Sequence, residues 1–484
     1  MFRRRRTHRR TRTGAAFVAG VALCASASAC TSPSDKPASQ ESSGSSRSSG
    51  TGSPSDTGPV TLRFAVYGDR VLASYRRIAE AYTRAHPNVT VHVQSAPDAV
   101  TAEDRLERGF AAGSAPDLFL ADQTTLPSLV AAQHVQPVDQ LLEQRGVQFG
   151  DNYERLGLEA LSSNSALQCM PNDVSPYVVF YNKRLLRPHK LVEPGENPPT
   201  AKTGWRWDEF AAAARDMSRG GVKGVYLAPR LTTLAPLIRS AGRDILDDPR
   251  APTTLTLADG GSRSVIEQIL AVAHDPRLTF SAQQLARHDA LSRFENGHLG
   301  MMIGTRALVP RLRERPSLHF DVFPLPSLGR FRTIAEITGY CISKTSAHVP
   351  EAADFVAFAS SKKAASMTAE SGAVVPANLA ALHSESFLQP GQFPDNADVF
   401  GNSIARADPL PFTTSWPDVV KQTQPLIDRL FNAPVVDLDT LLPRIDAISA
   451  ELLARPTPTP TPSPTLSATP SPTPGSTSSS TPDS

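Results

Sequence analysis

Between residues 60 and 135 the hydrophobic pattern switches repeatedly between a period of two and a helical period of about 3.6. "TLRFAVY" (61–67) alternates as a strand does, and "VLASYRRIAEAYTRAHP" (71–87) places Leu72, Tyr75, Ile78, Ala79 and Tyr82 at helical spacing before Pro87 stops it. "NVTVHVQ" (88–94) alternates again, "TAEDRLERGFAAG" (101–113) opens with a Thr-x-x-Asp capping pattern, "DLFLA" (117–121) is a short apolar run, and "LPSLVAAQHV" is helical. This β-α-β-α-β order predicts an α/β fold with a mostly parallel sheet covered by helices. Beyond it the pattern predicts helices near 207–219, 263–275, 287–296, 305–315, 350–371, 418–431 and 437–454. Strands are expected near 177–181, 222–227, 299–303, 318–323 and 337–343.

Neither end of the 484-residue chain belongs to this pattern. Residues 1–12 hold seven arginines and no acid, and 14–29, "GAAFVAGVALCASASA", are small and apolar. A basic stretch, a short apolar core and small residues make an export signal, too short for a membrane span. The signal ends in "ASAC", which resembles a lipobox and implies acylation of Cys30; simple cleavage with release is the alternative. Residues 30–58 form a Ser/Gly/Pro-rich tether, and 456–484, with alternating Pro and Thr, an extended tail. Without residues 1–29 the chain carries five more acidic than basic residues, which argues against nucleic acid as a partner. The foldable part, about 59–455, suffices for two domains. Cys24 leaves with the signal, so Cys169 and Cys341 remain as a pair in an oxidising compartment.

No catalytic, cofactor or metal signature is found. H-E-x-x-H, C-x-x-C, the P-loop and G-x-S-x-G are absent, and His274, His288, His298 and His319 fall in separate elements. The residues by themselves therefore suggest no cofactor and no metal site. An unusual run stands at 170–186, "MPNDVSPYVVFYNKRLL", where an apolar strand is entered through Asn172, Asp173, Ser175 and Pro176. These are turn-forming residues, and they suit a place where the backbone must change direction.

Six segments in order carry a resemblance. They are "VTLRFAVYGD…YRRIAEAYTRAHPNVTVHVQ", "RGFAAGSAPDLFLADQTTLPSLVAAQHVQPVDQLL", "MPNDVSPYVVFYNKRLL", "GWRWDEFAAAARDM", "FENGHLGMMIGTRALVPRL" and "ITGYCISKTSAHVPEAADFVAFASSKKAASMTAESGAVVPA". Over nearly all of 59–455 the chain resembles the extracellular solute-binding proteins of ABC importers, the family that includes maltose-binding protein. The resemblance implies a periplasmic-binding-protein-like fold of two lobes, each a sheet flanked by helices, joined by crossover hinge strands. Lobe 1 is expected over 59–172 and 339–385, and lobe 2 over 173–338 and 386–455, with "PNDVSPY" as the first crossover. It also implies a monomer outside the cell membrane, held there by its N-terminal lipid. Such a protein closes on a small solute and delivers it to permease subunits.

The same resemblance nominates ligand-binding residues. Tyr67 and Asp69 follow the first strand; Asp122 and Gln123 follow "LFLA" at a strand's carboxyl end; Asp173 and Tyr177 flank the crossover. Tyr226 and Arg230 end "GVYLAPR", Thr305 and Arg306 form a ligand-facing turn, and Tyr340 stands where the family often has tryptophan. Carboxylates and amides suit sugar hydroxyls, and aromatic rings suit the apolar face of a sugar. Arg230 and Arg306 would instead favour an anionic ligand; the acidic candidates pull the other way, and a neutral carbohydrate is the expectation. Because the family places their strands side by side, Cys169 and Cys341 are expected to form a disulfide, with two free thiols as the alternative. Trp207 is expected to be a packing residue, and Trp416 has no assigned place. An extracytoplasmic carbohydrate-active enzyme, or a sensor reporting to a membrane kinase, are the competing readings.

Overall fold

The computed structural model describes residues 58–191 and 197–455; the signal, Cys30, nearly all of the tether and the Pro/Thr tail lie outside the described residues. Two sheets organise the chain. Strands β1 (Val60–Tyr67), β2 (Val89–Ala96), β3 (Leu118–Asp122) and β4 (Met170–Pro176) belong to the first; β5 (Val178–Asn182), β6 (Lys223–Tyr226), β7 (Leu299–Gly304) and β8 (Phe320–Phe323) form the second; β9 (Thr333–Ser343) and β10 (Ala407–Asp408) return to the first. In the first sheet the order is β10-β9-β3-β1-β2, and β9 also pairs with β4 and with a short strand at 135–136. β1 runs parallel to β2 and β3, whereas β9 is antiparallel to β3 and β4, so the sheet is mixed. The second sheet has the order β8-β5-β7-β6.

The alternation expected of strands is visible in the second sheet. Val179, Tyr181, Met301 and Phe323 bury one face in a core with Trp205, Leu234, Trp416, Ile427 and Ile445. Phe180, Met302 and Phe320 turn the other way and join the first sheet's core through Phe387 and Phe400. The C-terminal helices Trp416–Asn432 and Leu438–Leu453 therefore pack on the second sheet. Trp207 is indeed a packing residue of that core, and Trp205 stacks on Phe323 with ring centroids 4.5 Å apart. Gly224 allows the helix Trp207–Met217 to lie on β6: a Cβ there would stand 1.9 Å from the Ala214 carbonyl oxygen.

Several elements depart from the sequence pattern. The second helix begins at Ala99, capped by Asp98, whose carboxylate accepts from the Thr101 N–H; Thr101 is not the cap. The span 350–371 is two helices, broken at Ser360 and Ser361, where the Ser361 hydroxyl caps the second. Helix Leu231–Ser240 was not expected; Pro236 inside it obscured its pattern.

The largest difference is at 170–176. These residues are not a turn but strand β4, paired with β9 from Ala335 to Tyr340, with a register shift between Thr338 and Gly339. One residue, Tyr177, then separates β4 of the first sheet from β5 of the second. The return crossing lies between Phe323 and Thr333. The two crossings are laced together: the Tyr177 N–H donates to the Ile334 carbonyl at 3.0 Å, and the Thr333 hydroxyl donates to the Tyr177 carbonyl at 2.8 Å. On the first-sheet side, Cys169 and Cys341 are joined by a disulfide, with Cα atoms 4.5 Å apart.

Candidate functional site

Parallel strands present their carboxyl ends along one edge, and in an open α/β sheet ligands bind there. β1 ends at Tyr67, β2 at Ala96 and β3 at Asp122, and all three ends border a cavity of about 680 Å³ lined by Tyr67 and Asp122 together with Pro97, the residue after β2. Gly68, with φ of 90°, makes the sharp turn from β1 into the helix Asp69–Ala85 and lies on the cavity wall. A second chamber of about 720 Å³ opens beside the first. Thr124, Tyr177, Thr232, Glu336 and Leu410 line both, so the two form one continuous cleft.

The crossing strands make its floor. In register, Thr338 of β9 stands opposite Asp122 of β3 on one side and Asp173 of β4 on the other. Directly paired residues share a face of a sheet, so Asp122, Thr338 and Asp173 form one row. Glu336 follows two residues along β9, on the same face. Each carboxylate is held by the fold. Asp122 Oδ1 accepts from the Thr124 N–H and hydroxyl at 2.8 and 2.6 Å and from the Thr125 N–H at 3.0 Å. Asp173 Oδ1 accepts from the Ser175 hydroxyl at 2.7 Å and the Val375 N–H at 2.8 Å. Glu336 accepts from the Tyr177 hydroxyl at 2.5 Å and, more weakly, from Thr305 at 3.4 Å.

Confinement moves the proton affinities of Asp173 and Glu336. Burial raises the Asp173 carboxyl to about 7; Glu336 adds to the rise, while the bonds from Ser175 and Val375 and the charge of Arg306 oppose it. Glu336 is exposed to the cleft yet walled by protein, and this desolvation, with Asp122 nearby, raises it above the usual range. Tyr67 is raised by burial and by Asp122, Asp173 and Glu336. A carboxyl whose folded value exceeds its unfolded one favours the protonated protein, so the stability it contributes is present in acid and is lost as pH rises through about 7. In thermal unfolding the wild type is therefore expected to gain more stability between about pH 8 and about pH 6 than Asp173→Asn does. Equal pH dependence in the two proteins would rule out titration of Asp173 in that window.

The sequence-nominated residues separate into three groups. Tyr67, Asp69, Asp122, Gln123, Asp173 and Tyr177 line the first chamber, and Tyr177, Tyr226 and Arg230 the second. Thr305 touches the site only through its bond to Glu336. Arg306 and Tyr340 do not reach the cleft and stand corrected as lining residues. Arg306 is fully buried, its guanidinium 4.0 Å from the Phe387 ring centre and donating to the Phe387 carbonyl. Burial lowers it to about 9, with Arg313 adding to the effect. Tyr340 lies deeper along β9, packed with Phe64 and Tyr75 at centroid distances of 6.0 and 6.5 Å. The sequence reading missed Glu336, Thr232 and Trp416. Glu336 had a signal, a lone acid in the otherwise uncharged strand "TIAEITGYCIS". Among the described residues no cluster of metal-ligating side chains occurs, and no helix is long and apolar enough to cross a membrane.

With this geometry in hand, comparison with known proteins is informative. The model for the bacterial extracellular solute-binding protein family matches residues 68–366. A solved ABC substrate-binding protein of Listeria monocytogenes, in complex with cycloalternan, has a TM-score of 0.71 at 18% identity, over 81% of this chain and 98% of that one. The sugar-binding protein MalE of Xanthomonas citri gives 0.70 at 17% identity, over 81% and 97%. The GacH receptor of Streptomyces glaucescens, solved unliganded and with acarbose, gives 0.68 at 17% identity, over 82% and 98%. No curated protein matches the chain by sequence. These structures share the two-lobed fold, and the proteins are binders, not enzymes. A cleft at the strands' carboxyl ends, floored by two crossing strands and matched over most of the folded chain, places this protein in the bacterial extracellular solute-binding protein family.

Proposed function

We propose that this protein is a lipid-anchored sugar receptor, held through Cys30, that captures a carbohydrate between its lobes and delivers it to the permease of an ABC transporter. The observation that carries the reading is the placement of the cleft on the crossing strands. A ligand touching Asp173 and Glu336 at the floor, Tyr67 on one wall and Arg230 on the other spans both lobes, and such bridging favours the closed state over the open one. Tyr67, Tyr177, Tyr226 and Trp416 offer ring surface, while carboxylates and amides offer partners for hydroxyls. Two joined chambers suit more than one sugar ring, in keeping with the cycloalternan and acarbose ligands of the similar structures.

The test is thermal unfolding of the purified protein against sugars, sugar acids, polyols and peptides. A ligand at 100 times its Kd adds about 2.7 kcal/mol, enough to raise the melting temperature by several degrees. A rise with one carbohydrate class supports the reading; a rise with peptides alone would replace it.

A further inference from the structure

The first chamber has more hydrogen-bond acceptors than donors. Asp122 and Asp173 each commit Oδ1 to the fold, and the second oxygen of each has no donor among the described residues. Beside Asp122, Gln123 is only 4% exposed; its Nε2 donates to the Ala335 carbonyl at 2.8 Å, but its buried Oε1, in a residue that lines this chamber, has no partner.

Basic side chains do not balance these acids. Among the described residues lining the chamber, Asp69, Asp122, Asp173 and Glu336 are acidic, and Arg70 is the sole base, already paired with Glu314. Arg306 attracts Asp173 only through space from within the core, and Arg230 faces Glu336 from the second chamber. Asp122 and Asp173 flank Thr338 in one row, with Glu336 next along the same face, so in their ionised forms their negative potential converges on one patch of floor, and a cation there favours those forms. A neutral hydroxyl supplies one donor to this patch and adds an acceptor. An ammonium supplies three donors, no acceptor and a compensating charge.

We propose that the first chamber selects carbohydrates bearing a protonated amino group, with the ammonium held between Asp122 and Asp173 above Thr338. This deepens the sugar-receptor reading and rests on it. The amine occupies the first chamber, and the remainder of the ligand extends toward Arg230 and Trp416.

Calorimetric titration of the purified protein with matched sets tests this. The probes are glucosamine, galactosamine and mannosamine, each beside its parent sugar and its N-acetyl form, and the β-1,4 glucosamine dimer beside cellobiose and the diacetylated dimer. At least one amine is expected to bind ten-fold or more tightly than both of its neutral partners. That advantage should shrink as salt is raised. It should also shrink in Asp122→Asn and Asp173→Asn, with folding checked by circular dichroism. The proposal is overturned if no amine exceeds its parent, if the N-acetyl forms bind as tightly as the amines, or if none of the probes binds. In each case the sugar-receptor reading survives if a neutral or acidic sugar shifts the melting temperature, and it falls only when every sugar fails.

Discussion

Replacing Cys169 and Cys341 together by alanine is expected to lower the unfolding free energy by about 4 kcal/mol. The bond closes a loop whose ends are 172 residues apart, and a cross-link of that span removes much of the freedom of the unfolded chain. Both cysteines are fully buried beside Gly339, where a Cβ would come within 3.1 Å of the Cys169 Cβ, so the corner is closely packed. Urea unfolding of the double variant measures the loss, and the wild type under strong reductant should lose a similar amount. A loss below about 1 kcal/mol in both would show that the linkage contributes little to the folded state.

Glu336→Ala is expected to weaken binding of the ligand identified by the thermal panel by roughly 30- to 100-fold, the cost of removing a charged hydrogen-bonding partner. Glu336 lines both chambers, and its carboxylate is where Tyr177 of one crossing and Thr305 of the second lobe converge. Its loss removes an acceptor from the floor and frees the Tyr177 hydroxyl as well. Glu336→Gln, which keeps the shape, should lose less. Calorimetry with the intact protein decides it, and an affinity within two-fold of wild type for the alanine variant would exclude Glu336 from the ligand site.

Much of this was legible in the sequence because periodicity reports local structure. The alternation over 61–67 and 88–94 and the spacing of Tyr75, Ile78 and Tyr82 correspond to β1, β2 and the buried face of the helix between them. Tertiary pairing was not legible. Asn172, Asp173 and Ser175 have the composition of a turn, yet the ladder to β9 holds them extended, and their side chains serve the cleft and core instead: Asn172 donates to the Tyr75 hydroxyl, and Asp173 accepts from Ser175 and Val375. Depth was hidden for the same reason. Glu336 and Tyr340 lie on one strand, but only the fold reveals that the cleft is open at the first and filled by Phe64 and Tyr75 at the second. Arg306 was nominated because the resemblance put it in a ligand-facing turn, whereas Phe387 and Phe400 enclose it. Trp416 could not be placed from its neighbours because it lines the second chamber with Tyr226 and Arg230 only when the helix Trp416–Asn432 docks on the second sheet.

The laced crossing has a mechanical consequence. β4 and β9 are clamped at one end by the Cys169–Cys341 bond and tied at the other by the bonds between Tyr177, Thr333 and Ile334. A ribbon fixed in this way resists shear and splaying, so the compliant direction left to it is a twist about the line through Tyr177 and Thr333. In the proposed receptor, movement of the second sheet against the first would follow that twist, whichever ligand fills the cleft.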